Sequence, residues 1–381
     1  MQTEQHDSLH VRADELDVPE ELSRRKLRSR LLIALGLLVA VVAVIGLVPG
    51  LSGLRSRLAH ASPAWLALGA LLKILSGVGY VAVFRMVFCR RMSWRVSTQI
   101  GMSELGANAL LPTGGAGGLA LGAWALKRGG MKGEEIARRT VAFFLLTSVP
   151  NVLGVIVIGL GLAVGVIGGE SNLLLTALPA TVALAAVAAT IAGGRLARRY
   201  ERRGLATGRH LRSKRALATV KTLAALADGV DESLVLLREG DAILIAGLLA
   251  YLVFDVMILW AGFRALGASP PVAILAMAYL IGELGGLIPV PGGIGGIDAG
   301  LLGTLVVYHV SITAAAGAVL AYRAIALGVP AIVGAVAFAA LRRTLRTEAE
   351  QISICAPQSE MEIIGLGRVR INSEQQAPRA N

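Results

Sequence analysis

The sequence predicts an all-α polytopic membrane protein, with about six transmembrane helices and two re-entrant helical hairpins arranged as an inverted repeat. Three observations carry that prediction. The composition, 55% hydrophobic and 16% charged over 381 residues with 46 glycines, lies outside the range of ordinary soluble domains. Apolar runs of the roughly 20 residues that a helix needs to cross a hydrocarbon core recur along most of the chain. Two further apolar stretches are broken by glycine and proline at corresponding places.

A formal charge of +12 raises nucleic acid as a partner, so the placement of the cations decides the matter. They sit between the apolar segments. Arg24, Arg25, Lys26, Arg28 and Arg30 precede the first span, and Arg342, Arg343 and Arg346 follow the last, as cytoplasmic flanks do. With 4% aromatic residues there is no basic groove with interleaved aromatics, and no nucleic-acid partner is expected. The polar leader before the first span fits a retained anchor better than a cleaved signal.

Full spans are expected at about 31–48, 64–88, 140–167, 173–192, 241–266 and 314–340. The broken stretches are 97–127, interrupted at Pro112 to Gly118, and 273–308, interrupted at Pro289 to Gly296. Neither break suits a continuous helix. The arm from 97 to 111 would rise only about 22 Å, short of the bilayer core, so each stretch reads as a hairpin that leaves and returns on one face. These elements form a transmembrane domain over 24–342. Repeat 1 covers about 64–167 and repeat 2 about 241–340, and flexible cytoplasmic tails are expected at 1–23 and 343–381.

Charge placement orients the hairpins. Arg90, Arg91 and Arg95 precede the first, and Lys127, Arg128, Lys132, Arg138 and Arg139 follow it, so it enters from the cytoplasm. The loop 193–240 carries eleven cations, the strongest cytoplasmic signal in the chain, whereas Arg264 is the only cation between the fifth span and the sixth. The second hairpin therefore opens to the exterior.

The two halves also share sequence. Glu104-Leu105-Gly106 stands eight residues before Pro112, followed by Gly114, Gly115, Gly117 and Gly118. Glu283-Leu284-Gly285 stands eight before Pro291, followed by Gly292, Gly293, Gly295 and Gly296. Val149-Pro150 with Gly154 and Val329-Pro330 with Gly334 come next, at an offset that stays near 180 residues. Three spans separate the hairpins, which gives the duplicated units opposite orientations, a transporter signature.

Irregular backbone at membrane depth must line protein or a wet cavity, so both glycine-rich tips are candidate parts of a substrate pathway. Glycine there also admits close approach, and the helices starting near Leu119 and Asp298 aim their N–H groups at the tips, which suits an anionic headgroup; tight packing of small residues is the competing reading. Glu104, Asn108, Glu283, Asp298, Tyr322 and Arg323 complete the expected pathway. Ionisable residues inside a span mark a route or an internal pair, and both repeats keep a glutamate at the same place before the break. Lys73 and Asp255, near mid-span, are read as intramembrane charge balance, a mutual pair or a transport role. Asp298 could serve only as a helix cap and Arg323 could snorkel outward, as Arg85 and Arg264 are expected to do at the ends of their spans. Glu134-Glu135 reads as a solvated helix start.

Cys89 and Cys355 support no disulfide framework, and the five histidines have no ligand spacing, so no metal or cofactor is expected. With neither a nucleophile and base nor a phosphate loop in view, enzymatic activity is not expected.

Ala109 to Gly115, Pro291 to Asp298 and Ala321-Tyr322-Arg323 resemble the flippase-like transmembrane region of lysylphosphatidylglycerol synthases, also found as free-standing membrane proteins. The resemblance covers about residues 30–342 and implies a site at the second Pro-Gly-Gly hairpin, with Asp298 where glutamate is commoner and Tyr322-Arg323 in the following span. Many members resemble one another in a Glu-Arg pair after the first hairpin; here that region reads Phe143-Phe144-Leu145. The soluble aminoacyl-transferase domain of two-domain members has no counterpart in this chain, so lysine transfer is not expected of it.

The expected function is translocation of a phospholipid, aminoacylated or not, or of a polyprenyl-linked lipid between leaflets of the inner membrane, with membrane lipids as partners. An ion-coupled carrier of a small polar solute is one alternative. Another is a non-transporting scaffold that recruits a lipid or glycan synthase through loop 193–240.

Overall fold

The computed structural model describes residues 52–110, 116–166, 176–185, 233–285 and 295–347, with a few further positions between 186 and 230. Among the described residues every regular element is helical: α1 (Ser52–Ala59), α2 (Pro63–Phe88), α3 (Trp94–Leu110), α4 (Ala116–Arg128), α5 (Gly133–Ala163), α6 (Ala242–Ala265), α7 (Val272–Gly285), α8 (Gly296–Val307) and α9 (Ile312–Thr347). Their starts are written locally. Pro63 opens α2 at a position whose N–H would go unused, and the Asp241 side chain accepts from the Ile243 N–H at 2.9 Å to cap α6.

Among the described residues four helices are long and apolar enough to cross a membrane: Pro63–Phe88, Gly133–Ala163, Ala242–Ala265 and Ile312–Leu345. They coincide with four of the six expected spans. The expected span at 31–48 lies outside the described residues, and that at 173–192 is described as a shorter helix, Thr176–Ala185. α5 begins earlier than expected, because Glu134 and Glu135 favour its positive N-terminal end, and α9 runs past Arg343 to Thr347. Both expected breaks separate short helices, α3 from α4 and α7 from α8, each too short to span. Elements of similar length therefore follow one another twice, with 26, 17, 13 and 31 residues from α2 to α5, and 24, 14, 12 and 36 from α6 to α9.

The antiparallel pair α2 and α6 forms the axis. The Ser62 N–H donates to the Ala265 carbonyl at 2.9 Å, which fixes the start of α2 beside the end of α6. Further along, a Cβ on Gly79 would stand 2.7 Å from the Gly247 carbonyl, so the two backbones meet where neither carries a side chain. One apolar core surrounds the end of α2 and the start of α6, with Phe84, Met92, Ile100, Leu126 and Leu244, and takes in α3 and α4. A second surrounds the opposite ends, with Ile258, Phe263, Met277, Leu301 and Leu305, and takes in α7 and α8. The two hairpins thus pack at opposite ends of the α2–α6 pair.

The halves are also cross-linked by packing. A Cβ on Gly106 of α3 would lie 2.7 Å from Gly334 Cα and 2.9 Å from the Pro330 carbonyl of α9, while Leu280 of α7 packs on Gly154 of α5. Large apolar side chains such as Leu71, Val157, Leu249, Ile332 and Val336 point outward, as a lipid-facing surface requires. Cys89 is buried at the end of α2. Cys355 lies outside the described residues.

Candidate functional site

Two polar clusters lie inside this apolar bundle. In the first half Glu104 is 2% exposed, and the Tyr80 hydroxyl donates to its Oε2 at 2.9 Å. Its other carboxylate oxygen rests directly over Gly122 of α4, where any Cβ would collide with it. One turn later the Asn108 Oδ1 accepts from the Gly118 N–H at 2.8 Å, tying α3 to the first turn of α4. Glu104 and Asn108 therefore hold the two arms of the hairpin together. Gly117 lies in the same turn, whereas Pro112, Gly114 and Gly115 lie outside the described residues.

In the second cluster the Lys73 Nζ of α2 donates to both carboxylate oxygens of Asp255 of α6, at 2.8 and 3.0 Å, with both side chains buried. Lys73 and Asp255 thus form a buried ion pair between α2 and α6. The Tyr279 hydroxyl reaches Asp255 at 3.4 Å. Asp298 does two things: its Oδ2 accepts from the Gly295 N–H at 3.0 Å, and its Oδ1 accepts from the Arg323 Nε at 2.6 Å. The capping role was legible, but Arg323 turns inward to this carboxylate instead of snorkelling. Gly295 has φ +94°, a conformation that L side chains rarely adopt, and Gly296 then opens α8. Because Asp298 already serves this terminus, its N–H groups are less open to an anion than the sequence suggested. Pro291, Gly292 and Gly293 lie outside the described residues.

Glu283, half-buried near the end of α7, lies within electrostatic reach of Asp255, Lys73 and Arg323. Tyr322 is 4% exposed and stacks edge-on against Tyr279 at 6.4 Å between ring centroids. Tyr251 joins the clusters, with its ring 5.7 Å from that of Tyr80 and 6.0 Å from the Lys73 Nζ.

Three tyrosines, Tyr80, Tyr251 and Tyr279, escaped the sequence reading because a tyrosine in an apolar run reads as core. A signal was present: Tyr251 precedes Asp255, and Tyr279 precedes Glu283, by four residues, which places each pair on one helix face. At the bundle ends, Arg85 lies over Trp94 at 4.8 Å while its Nε donates to the Met92 carbonyl at 2.7 Å. Arg264 lies 5.2 Å from the Trp65 ring and 5.8 Å from that of Trp260. Both cations sit among interfacial aromatics.

A family model described as the lysylphosphatidylglycerol synthase TM region matches residues 33–334, a stretch that contains both hairpins and all the charged residues of the two clusters. The chain belongs to this family. Membership and the four apolar helices make it a membrane protein with a function related to membrane lipid. No curated protein matches the chain. Phe143 packs against Tyr80 with ring centroids 5.1 Å apart, so the neighbourhood of Glu104 is aromatic.

Proposed function

We propose that this protein carries a phospholipid, aminoacylated or not, or a polyprenyl-linked lipid between the leaflets of the inner membrane, without transforming it chemically. The observation that carries this reading is the charged cluster of Lys73, Asp255, Glu283, Asp298 and Arg323 enclosed by helices whose outward faces are apolar. Holding five ionisable side chains, two of them buried and three partly buried, within an apolar bundle is costly, and a headgroup route is a function that requires it. The acyl tails would remain in lipid along the exposed leucines and valines.

In this reading the two halves form an inverted repeat, with two more spans completing six. The twice-repeated order of helix lengths, the hairpins at opposite ends of α2–α6 and the crosswise packing of α3 on α9 and α7 on α5 support it. Rocking of one half against the other would expose the chamber to each side in turn. The cationic flanks support cytoplasmic termini, and loop 193–240 is available to anionic lipid or a synthase.

The test is translocation of labelled phospholipid in vesicles holding the purified chain. Replacing Glu283 and Asp298 together by alanine, in protein that still unfolds cooperatively, is expected to slow translocation at least about tenfold, in keeping with loss of contacts worth more than about 1.4 kcal/mol in the crossing state. Wild-type rates in that double variant would reject the assigned route.

A further inference from the structure

Arg264, in the last turn of α6, is exposed, and among the described residues it meets only aromatic rings. By contrast Arg85, Arg90, Arg139 and Arg323 each donate to a carboxylate or a backbone carbonyl. The Arg264 guanidinium lies over Trp65 of α2 at 5.2 Å and over Trp260 of α6 at 5.8 Å. The two indoles meet edge to face, with ring centroids 5.1 Å apart. A guanidinium stacked on rings uses its flat face, which leaves the N–H donors around its edge open to an anion.

Capping of its own helix does not account for this placement. A cation in the last turn commonly serves the open carbonyls there, but these are already taken. The Phe263 carbonyl accepts from the Ala268 N–H at 3.0 Å, the Arg264 carbonyl from the Gly267 N–H at 3.1 Å and the Ala265 carbonyl from the Ser62 N–H at 2.9 Å. The last of these bonds ties α2 to α6, so the two indoles stand on helices locked together and the guanidinium is positioned before any ligand arrives. The charge at this end of the bundle is also of one sign. No acidic residue occurs at 52–62, 264–272 or 308–312, and α1 adds an exposed Arg57 beside Leu58, which packs on the second core. Loop 193–240, with its eleven cations, precedes α6, so Arg264 lies at the far end of that helix, about 36 Å away.

We propose that Arg264, clamped by Trp65 and Trp260, is a docking site for the phosphate of an anionic phospholipid in the leaflet opposite loop 193–240. The guanidinium fork matches two phosphate oxygens, and tryptophan is favoured at the depth of the headgroups. A zwitterionic headgroup would bring its own cation against Arg264 and Arg57, which favours a lipid of net negative charge. Leu71 of α2 and Val253 of α6, exposed and about two turns deeper, offer the acyl chains an apolar surface. The site depends on the membrane setting alone and stands whether or not the protein carries the lipid it holds.

The test uses the full chain with Trp94 and Trp124 replaced by phenylalanine, so that Trp65 and Trp260 alone fluoresce as tryptophans. It is reconstituted in phosphatidylcholine vesicles with increasing fractions of phosphatidylglycerol brominated near the headgroup end of its chains. Quenching is expected to give an apparent association constant about three- to tenfold higher than for equally brominated phosphatidylcholine, and R264Q is expected to bring the ratio to about one. R264K keeps the charge without the flat fork; it serves where R264Q does not fold, and is expected to lose more than about half of the preference. Equal quenching by the two lipids, a preference retained in R264Q, or one retained in full by R264K overturns the site. Sodium phosphate that abolishes the preference, where sodium chloride of equal ionic strength does not, assigns the site to free phosphate and overturns it as well. A ratio that the two salts move equally supports the lipid.

Discussion

Glu104 and Glu283 occupy the same place in the two halves, yet their surroundings differ in kind. The first is sealed by a tyrosine hydroxyl and a glycine backbone, with aromatic rings nearby; the second is half-buried, within electrostatic reach of Asp255, Lys73 and Arg323. At the offset that aligns the two motifs, Phe143-Phe144 stand where the second half has Tyr322-Arg323, and Leu119 lies close to the place of Asp298. Both halves thus hold a glutamate at this place, while the charged neighbours, Lys73 of α2 among them, lie around Glu283. The contrast is between a glutamate held by a tyrosine hydroxyl over a glycine and a glutamate set among ionisable neighbours.

The sharpest way to break this comparison is at Asp255. Changing it to alanine strands the buried Lys73 ammonium and is expected to cost about 3–5 kcal/mol, read as a large drop in the thermal midpoint in detergent. Replacing both partners by apolar residues of similar size should restore most of that loss, and a double variant as unstable as the single one would mean that the pair is not simply structural. Next in size is Gly106→Leu, whose side chain must enter the Pro330 carbonyl and Gly334, at an expected cost of about 1–3 kcal/mol in denaturant unfolding.

The hydroxyls test the contrast directly. Tyr80→Phe leaves the sealed Glu104 without its donor and is expected to destabilise by about 1–3 kcal/mol, whereas Tyr322→Phe removes a hydroxyl that satisfies nothing among the described residues and should stay within about 0.5 kcal/mol. Equal losses in side-by-side calorimetry would erase the distinction between the halves. The smallest effect is expected at the exposed Arg90–Glu239 pair, 2.7 Å apart, where Arg90→Ala should cost less than about 1 kcal/mol and less still in high salt.

Much of this could be read in advance. The apolar runs at 64–88, 140–167, 241–266 and 314–340 became α2, α5, α6 and α9, because a span needs only length and apolarity, both local properties. The ends of α3 at Leu110 and α7 at Gly285 were equally legible, since proline and glycine clustered together disfavour a helix, whereas the single Pro150 and Pro330 lie inside α5 and α9. Partnerships were harder to read. Nothing near Glu104 in sequence points to Tyr80 or Gly122, and the inward turn of Arg323 depends on a capping residue one hairpin away.

Membrane class, helix positions, the two interrupted segments and the presence of ionisable residues at membrane depth were determined by sequence, because each follows from composition and spacing within about twenty residues. Which charges neutralise one another, which glutamate is sealed and which left half-buried, and how the halves lock through Gly106 and Gly334 were decided only in three dimensions. The reason is physical: Coulomb attraction and backbone contact act over a few ångströms between different helices, whose contacting residues lie 24 or 25 positions apart at Tyr80–Glu104 and Asp298–Arg323 and 182 apart at Lys73–Asp255.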